Sequence, residues 1–346
     1  MFLEKEGKLI YSYDGETVCI EAWGKDALRV RATKNRSFTG RDWALEAKDA
    51  HAGEVEIFED PSAKGGAFAN MYEGTDTSYG KITNGKLHAV IDSGSVITFY
   101  HEDGRVLLKE HFRRLRDEES MPLNIMGREY SNGVGDNFRI VTRFVARKGE
   151  KIFGMGQYQQ HELDLKGCML ELAQRNSQVS VPFYLSSIGY GFLWNNPGVG
   201  QVMFANNGTE WVTESGKEID YLVIAGDTPA EIEENYMTLT GKPPMMPEYG
   251  MGFWQCKLRY WNQEQLLSVA RKYKELGIPL DVIIVDFFHW TKQGEFKFDP
   301  KYWPDVPGMC RELKEMGIQV VVSVWPTVDI YSENFEEMKE KGYLVR

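Results

Sequence analysis

Between Asp227 and Gly250 the spacing of apolar residues changes character, and that change restricts the chain to a two-part fold. Before it, short alternating runs recur: TVCIEAW at 17–23, ALRVRAT at 27–33, KLHAVID at 86–92, SVITFYH at 95–101 and FRIVTRFVA at 138–146. Turn signals such as Asp14-Gly15, Asn84-Gly85, Asp103-Gly104 and Ser131-Asn132-Gly133 separate them. Alternation over short segments with frequent turns predicts antiparallel strands with one face buried, and so long a run of it predicts one large β-sandwich.

The change itself is readable. In DTPAEIEENYMTLTGKPPMMPEYG, Thr228 is a good N-cap, Pro229 takes the first helical position, Glu231 completes a capping box and Gly241 ends the helix. Pro243, Pro244 and Pro247 then form a stiff connector. We therefore divide the chain into a sandwich domain, residues 1–236, and an α/β domain, residues 237–346. A length of 346 residues agrees with two domains.

In the second part strands alternate with helices. MGFWQC at 251–256 reads as a strand, and Asn262 caps a helix whose Leu266, Val269, Tyr273 and Leu276 share one face, with Gly277 closing it. LDVIIVD at 280–286 is apolar on both faces, as a parallel strand covered by helices must be. Met309, Leu313 and Met316 mark a second helix ended by Gly317, and IQVVVSVW at 318–325 reads as a third strand. Ser332 is expected to cap a last helix, through Phe335 and Met338 to Gly342. This alternation suits a (β/α)8 barrel or a doubly wound sheet. A barrel needs eight such units, and three parallel strands alone leave an unclosed apolar edge. An incomplete TIM barrel is favoured over an open three-layer sheet.

Composition narrows the partners. A net charge of −11 argues against nucleic acid and anionic membrane surfaces and fits a neutral substrate. Aromatic residues make up 13% of the chain, which is compatible with stacking on sugar rings, although most aromatic side chains belong to cores. The start MFLEKEGKLIYSYDGETV lacks a basic segment followed by a long apolar one, so no signal peptide is expected, and no run of about 18 apolar residues is present to span a bilayer. Cys19, Cys168, Cys256 and Cys310 are far apart and read as buried free thiols in a reducing compartment. Six scattered histidines form no ligand pair, so neither metal nor cofactor is expected, and the location expected is the cytoplasm.

In α/β folds the C-terminal ends of the strands face the active site. Here those ends carry Gln255 to Arg259, Asp286 to Trp290 and Trp325 to Asp329, a mixture of acids, aromatics, amides and an arginine. That is the make-up of a sugar subsite, or of a rim that is merely solvated. Asp281 and Asp286 cannot be a glycosidase pair, because five residues of strand set them on opposite faces, ~16 Å apart at ~3.3 Å per residue. A retaining pair needs about 5–5.5 Å and an inverting pair about 6.5–9.5 Å. Asp281 reads as a structural acid at the strand start, satisfied by a backbone amide or a basic partner. Asp329 could meet Asp286 from the next strand, but no spacing requires it. GMGQYQ at 154–159 lacks the third glycine of a nucleotide loop and lies among strands.

Six segments together resemble glycoside hydrolase family 31, the retaining α-glucosidase and α-xylosidase family: EKIFGMGQ (150–157), NSQVSVPFYLSSIGYGFLW (176–194), LTGKPPMMPEYGMGFWQCKLRYW (239–261), IPLDVIIVDFFHW (278–290), FKFDPKYWPDVPGM (296–309) and VVVSVWP (320–326). They stand in family order and cover nearly the whole chain. The resemblance implies a galactose-mutarotase-like β-sandwich followed by the start of a (β/α)8 barrel. It places Asp286 on the acid that hydrogen-bonds sugar hydroxyls in the −1 subsite, and Phe288 and Trp325 on aromatic positions lining that subsite. The loop from Ala173 to Asn176 falls where the sandwich lends a loop to the pocket, which makes Asn176 a substrate-binding candidate. Leu258 falls near a position often aromatic in relatives.

The family nucleophile is an aspartate in a KxDxxE or WxDxxE context at the fourth barrel strand, with the acid/base further on. Neither motif occurs here, so no catalytic residue is assigned to this chain. The resemblance thus implies a retaining hydrolase that releases terminal α-linked xylose or glucose from oligosaccharides, this chain being the N-terminal part that supplies fold and part of the −1 subsite. Phe287 and Phe288 put bulk where a hexose hydroxymethyl would lie, which tilts the expectation towards xylose unless Phe287 faces the core. The rival reading is a non-catalytic carbohydrate-binding protein; assembly into a homo-oligomer is left open.

Overall fold

The computed structural model describes residues 1–59, 78–111, 113–115 and 123–345. The chain forms two compact units, Met1–Pro243 and Pro244–Arg346.

The first unit is a stack of antiparallel sheets. Its largest sheet has nine strands, running in space from Phe2–Lys5 through Lys8–Tyr13, Glu16–Trp23 and Ala27–Thr33 to Ile219–Ala225, Tyr190–Trp194, Val179–Ser186 and Ile152–Gln157, with Ala50–His51 pairing beside Glu16–Trp23. A five-stranded sheet follows the order Val106–Lys109, Ile97–His101, Leu87–Ile91, Ser78–Asn84 and Glu54–Glu59. A second five-stranded sheet holds Arg128–Asn132, Phe138–Phe144, Thr209–Gly216, Gly200–Phe204 and Met169–Leu172. One core joins all three: Leu9, Val30 and Tyr221 from the first, Ile82 and Phe99 from the second, Phe144 and Trp211 from the third. The alternation in the sequence is the cause. In Leu87–Ile91, Leu87, Ala89 and Ile91 are buried and the residues between them are not.

The central strands break that alternation, because they are covered on both faces. Glu21, Arg29 and Asp220 sit within them, all buried. Each is paired: Glu21 with Lys8 at 2.6 Å and Arg31 at 2.7 Å, and Arg29 with Asp220 at 2.6 Å. Burying a charge is costly unless it is paired and hydrogen-bonded, so these residues can only sit here together.

The helix Pro229–Thr240 packs Ile232 and Leu239 into a cluster with Trp23, Leu222 and Ile224. Thr228 caps it by accepting from Glu231 N at 3.2 Å. The Glu231 carboxylate reaches back one residue further than a capping box requires, accepting from Asp227 N at 3.0 Å, and it also holds Lys86 at 2.7 Å. Gly241, at φ +95, ends the helix.

The second unit holds three parallel strands in chain order, Trp254–Gln255, Val282–Val285 and Gln319–Val322. The helices are Gln263–Glu275, Val306–Glu315 and Phe335–Glu340. Leu266, Leu267, Ala270, Met309 and Leu313 pack over Ile283 and Val285 of the middle strand. Among the described residues this sheet has three strands and is not closed into a barrel.

All three strands are shorter than expected. Residues Glu248–Met251 form a turn of 3-10 helix before the first, and Trp325 lies beyond the end of the third. Asn262 caps its helix as expected, accepting from Gln265 N at 2.9 Å, but Leu276 is exposed because the helix ends at that residue. The last helix starts later than expected. Its N-cap is Asn334, while the Ser332 hydroxyl accepts from Asn334 N, at 3.3 Å. No helix among the described residues is long and apolar enough to cross a membrane.

Candidate functional site

The two acids that bound the middle strand have different surroundings. Asp281, before the strand, accepts from Phe253 N at 2.9 Å and so ties the first strand to the second at their base. Gly252 is needed for this, since a Cβ there would run into the Asp281 carboxylate. Gly252→Ala should therefore destabilise the unit by about 1–3 kcal/mol, the usual cost of forced overpacking, read as a lowered melting temperature. An unchanged melting temperature would show that the tie is not needed.

Asp286, one residue after the strand, is only part-buried. Its Oδ1 accepts from the next backbone amide, Phe287 N, at 2.8 Å, and its Oδ2 faces the Cys256 thiol at 3.8 Å. Burial, and then the Asp286 charge, push the Cys256 thiol up from its ordinary value, so it stays protonated and serves as the donor. Cys256 is thus an exposed thiol beside the acid, whereas the spacing of the cysteines had suggested buried ones; Cys19 alone of the four is buried.

The aromatic residues that follow the acid in the chain cluster with Trp325. Phe287 stacks on Trp325, with centroids 5.2 Å apart and planes 13° apart, and Phe288 lies 6.0 Å from the same ring. Phe288 is 47% exposed and Trp325 40% exposed, so both rings are open to a ligand. Phe288 has φ +61, a conformation rare for a bulky residue, and such strain concentrates at binding sites. The Arg259 guanidinium lies 3.7 Å from the Trp261 ring centroid and 5.4 Å from that of Phe288. Trp290 is buried 6.2 Å from Trp325, and its indole N–H has no hydrogen-bond partner among the described residues.

His289 fixes the base of this loop. Its Nδ1 lies 3.1 Å from the Asp286 carbonyl oxygen, which can only accept, so Nδ1 carries the proton. Burial lowers its pKa below the ordinary imidazole value. In the unfolded chain the ring gains its proton near pH ~6.5, before the folded one does, so acidification through that range favours unfolding. Stability should fall with pH below about 6.5 more steeply in the wild type than in His289→Gln. Equal slopes in denaturant titrations would refute this.

The structure thus brings Asp286, Phe288 and Trp325 together at the C-terminal ends of the parallel strands. Asp329 is exposed and accepts from Tyr331 N at 2.8 Å, in a turn of its own. Leu258 is 80% exposed. Asn176 stands exposed at the tip of a tight hairpin of the first unit, where Arg175 pairs with Gln178. The sequence reading missed Cys256 as a neighbour of Asp286. No signal in the sequence pairs the two; only the register of Gln255 with Ile283 and the side-chain directions show it.

Residues 17–202, more than half of the chain, match the pattern described as the glycosyl hydrolase 31 N-terminal galactose mutarotase-like domain, and residues 243–346 match the glycosyl hydrolases family 31 TIM-barrel domain. The chain belongs to glycoside hydrolase family 31. An uncharacterized family 31 glucosidase of Pseudescherichia vulneris is 42% identical over 99% of this chain and 64% of its own length. An α-xylosidase of Saccharolobus solfataricus is 36% identical over 60% of this chain and 30% of its own. Among solved structures, a family 31 α-xylosidase from a soil metagenome, complexed with xylose, superposes with a TM-score of 0.88 at 45% identity, over 99% of this chain and 50% of that one. The family 31 chain described here therefore spans between about a third and two thirds of the length of these relatives.

Proposed function

We propose that this chain is the N-terminal part of a retaining family 31 glycoside hydrolase that releases terminal α-linked xylose or glucose from oligosaccharides. The observation that carries the reading is the part-buried Asp286 carboxylate at a strand end, followed in the chain by the exposed ring of Phe288, which lies 6.0 Å from the exposed ring of Trp325. Rings stack on the faces of a sugar, and a carboxylate accepts hydrogen bonds from its hydroxyls. The Arg259 guanidinium, 5.4 Å from the Phe288 ring centroid, adds donors.

Retention needs a nucleophile and an acid/base about 5–5.5 Å apart. In this proposal Asp286 is neither; it holds the sugar beside them, and both are supplied from outside these residues. The stacking of Phe287 on Trp325 keeps its bulk in the aromatic cluster, which supports xylose over glucose. The relatives named α-xylosidase support the same choice. Four free cysteines support a cytoplasmic location.

The test is hydrolysis of aryl α-xyloside and aryl α-glucoside by the 346-residue chain and by any longer product of its gene that carries a KxDxxE-like segment. The proposal expects turnover from the longer product only, with the xyloside preferred. Enzyme-like turnover by the 346-residue chain would overturn the placing of the nucleophile outside it. Sugar binding with no turnover by any product would favour the non-catalytic carbohydrate-binding protein.

A further inference from the structure

The first unit carries a cavity of about 660 Å³, lined by residues from the segment 35–43 and from the strand connections 195–198 and 215–220. That volume is within the ~300–1,000 Å³ typical of small-molecule sites. One wall is an irregular loop from Thr39 to Ala44, and buried side chains clamp it from beneath. Glu218 accepts from Thr39 N and Thr39 Oγ1, both at 2.8 Å. Arg29 donates to Asp42 Oδ1 at 2.8 Å and to the Arg41 carbonyl at 2.9 Å. Asn195 donates to the Asp42 carbonyl at 3.1 Å and accepts from Ala44 N at 3.2 Å. Asp220 in turn holds both Arg29, at 2.9 and 2.6 Å, and Asn195, at 2.9 Å. All four clamping residues are buried. Surface loops do not ordinarily engage so many buried polar groups. Fixing one this firmly pre-organises whatever it displays.

The loop displays Arg41 and Trp43. Trp43 is 43% exposed and has φ +54, a left-handed conformation that costs a bulky residue energy. The Arg41 guanidinium lies 5.2 Å from its ring centroid. The charges around the cavity are unevenly used. Its three carboxylates are all engaged, Asp136 by Lys217 at 2.8 Å, Glu218 by Thr39 and Asp220 by Arg29. Arg36 and Arg41 have no carboxylate partner among the described residues. A chain of net charge −11 thus keeps two unpaired guanidinium groups at one cavity.

We propose that this cavity binds a sugar bearing a carboxylate or phosphate group, with the anion on Arg36 and Arg41 and the ring against Trp43. Guanidinium groups match both anions with paired N–H donors, and an aromatic face takes the apolar side of a pyranose. The Ser37 and Ser215 hydroxyls, which also line the cavity, are suited to the ring hydroxyls. The inference uses first-unit residues only and does not need the glycosidase reading.

Calorimetric titration of the chain with glucuronic acid, glucose 6-phosphate, glucose and inorganic phosphate tests it. One of the two charged sugars should bind at least about tenfold more tightly than glucose and than phosphate alone, and which one does identifies the anion. The R36Q/R41Q variant and Trp43→Ala should each weaken that sugar at least about tenfold while melting as the wild type does. If the double variant fails to fold, the wild type's salt dependence decides: binding of the charged sugar should weaken as ionic strength rises, because unpaired surface charges are screened. Four results would overturn the proposal: no probe binding at millimolar concentration, glucose matching the charged sugars, phosphate alone matching them, or a folded double variant binding unchanged.

Discussion

Replacing Asp286 by alanine in the catalytically active enzyme should lower kcat/KM for an aryl α-xyloside by well over tenfold. The carboxylate sits one residue beyond the middle strand, with Oδ1 taken by its neighbour's amide and Oδ2 facing only a weak thiol donor. That leaves capacity for a sugar hydroxyl. A hydrogen bond involving a charged group contributes about 1.5–3 kcal/mol, so its loss alone gives roughly ten- to more than a hundredfold. Asp286→Asn keeps the shape and one acceptor, and it should fall between the two. Melting temperature should change little, since the fold uses Oδ1 only for a bond to an adjacent residue. An unchanged kcat/KM in Asp286→Ala would remove this residue from the subsite.

The largest effect on stability is expected from Arg128→Met, in the core of the first unit. Arg128 donates to Glu110, to both carboxylate oxygens of Glu16 at 3.0 Å, and to Ser95 O and Oγ at 2.8 and 2.7 Å. Tyr221 and Ile97 N donate to Glu110 as well. Removing the cation leaves a fully buried Glu110 without its counter-charge, which costs about 3–5 kcal/mol.

Burial already raises Glu110 above the usual carboxylate value, with Arg128 opposing the rise. Without Arg128 it rises further. A carboxyl whose folded value is raised contributes stability below the unfolded value, ~4.3, and loses it as pH rises through the folded value. The penalty in Arg128→Met should therefore be larger near neutrality than in mild acid. Adding Glu110→Gln should recover part of it, since a neutral amide is cheaper to bury. Chemical denaturation at two pH values checks both points. A pH-independent loss would mean that the methionine costs packing alone.

The strands of the first unit were legible because one face of each meets the core, so alternation reports burial. What alternation cannot show is which strands meet. The pairing of Ala27–Thr33 with Ile219–Ala225 joins segments with no local relation. It also hides the buried ions. Arg29, Glu110, Arg128 and Asp220 each look like the solvent-facing position of a strand, and only their partners, distant in sequence, show that they are inside.

In the second unit the existence and order of the elements were legible from helical periodicity and apolar runs. The strand ends were not, because they depend on where the loops turn away from the sheet. IQVVVSVW continues as apolar sequence past Val322, yet Trp325 leaves the strand to stack with Phe287. The grouping of Asp286, Phe288 and Trp325 followed from the rule that strand C-termini share a rim. The approach of Cys256 to Asp286 needed the side-chain directions themselves.

The long-range pairing within the largest sheet bears on how such a chain is made. Ala27–Thr33 cannot complete its hydrogen-bond ladder until Ile219–Ala225 has been synthesised, and the buried Arg29–Asp220 bond spans 191 positions. At ~5–20 residues per second, the first four strands wait on the order of ten to forty seconds with one edge open while the rest of the domain leaves the ribosome. Until then Arg29 lacks Asp220, the carboxylate that takes two of its hydrogen bonds, and that edge of its strand stays hydrated. The Arg29 charge, in the middle of the unpaired edge strand, opposes edge-to-edge joining with another nascent chain, as edge charges do in finished sheets. The arginine that later pairs with Asp220 to close the sheet thus also guards its open edge during the delay.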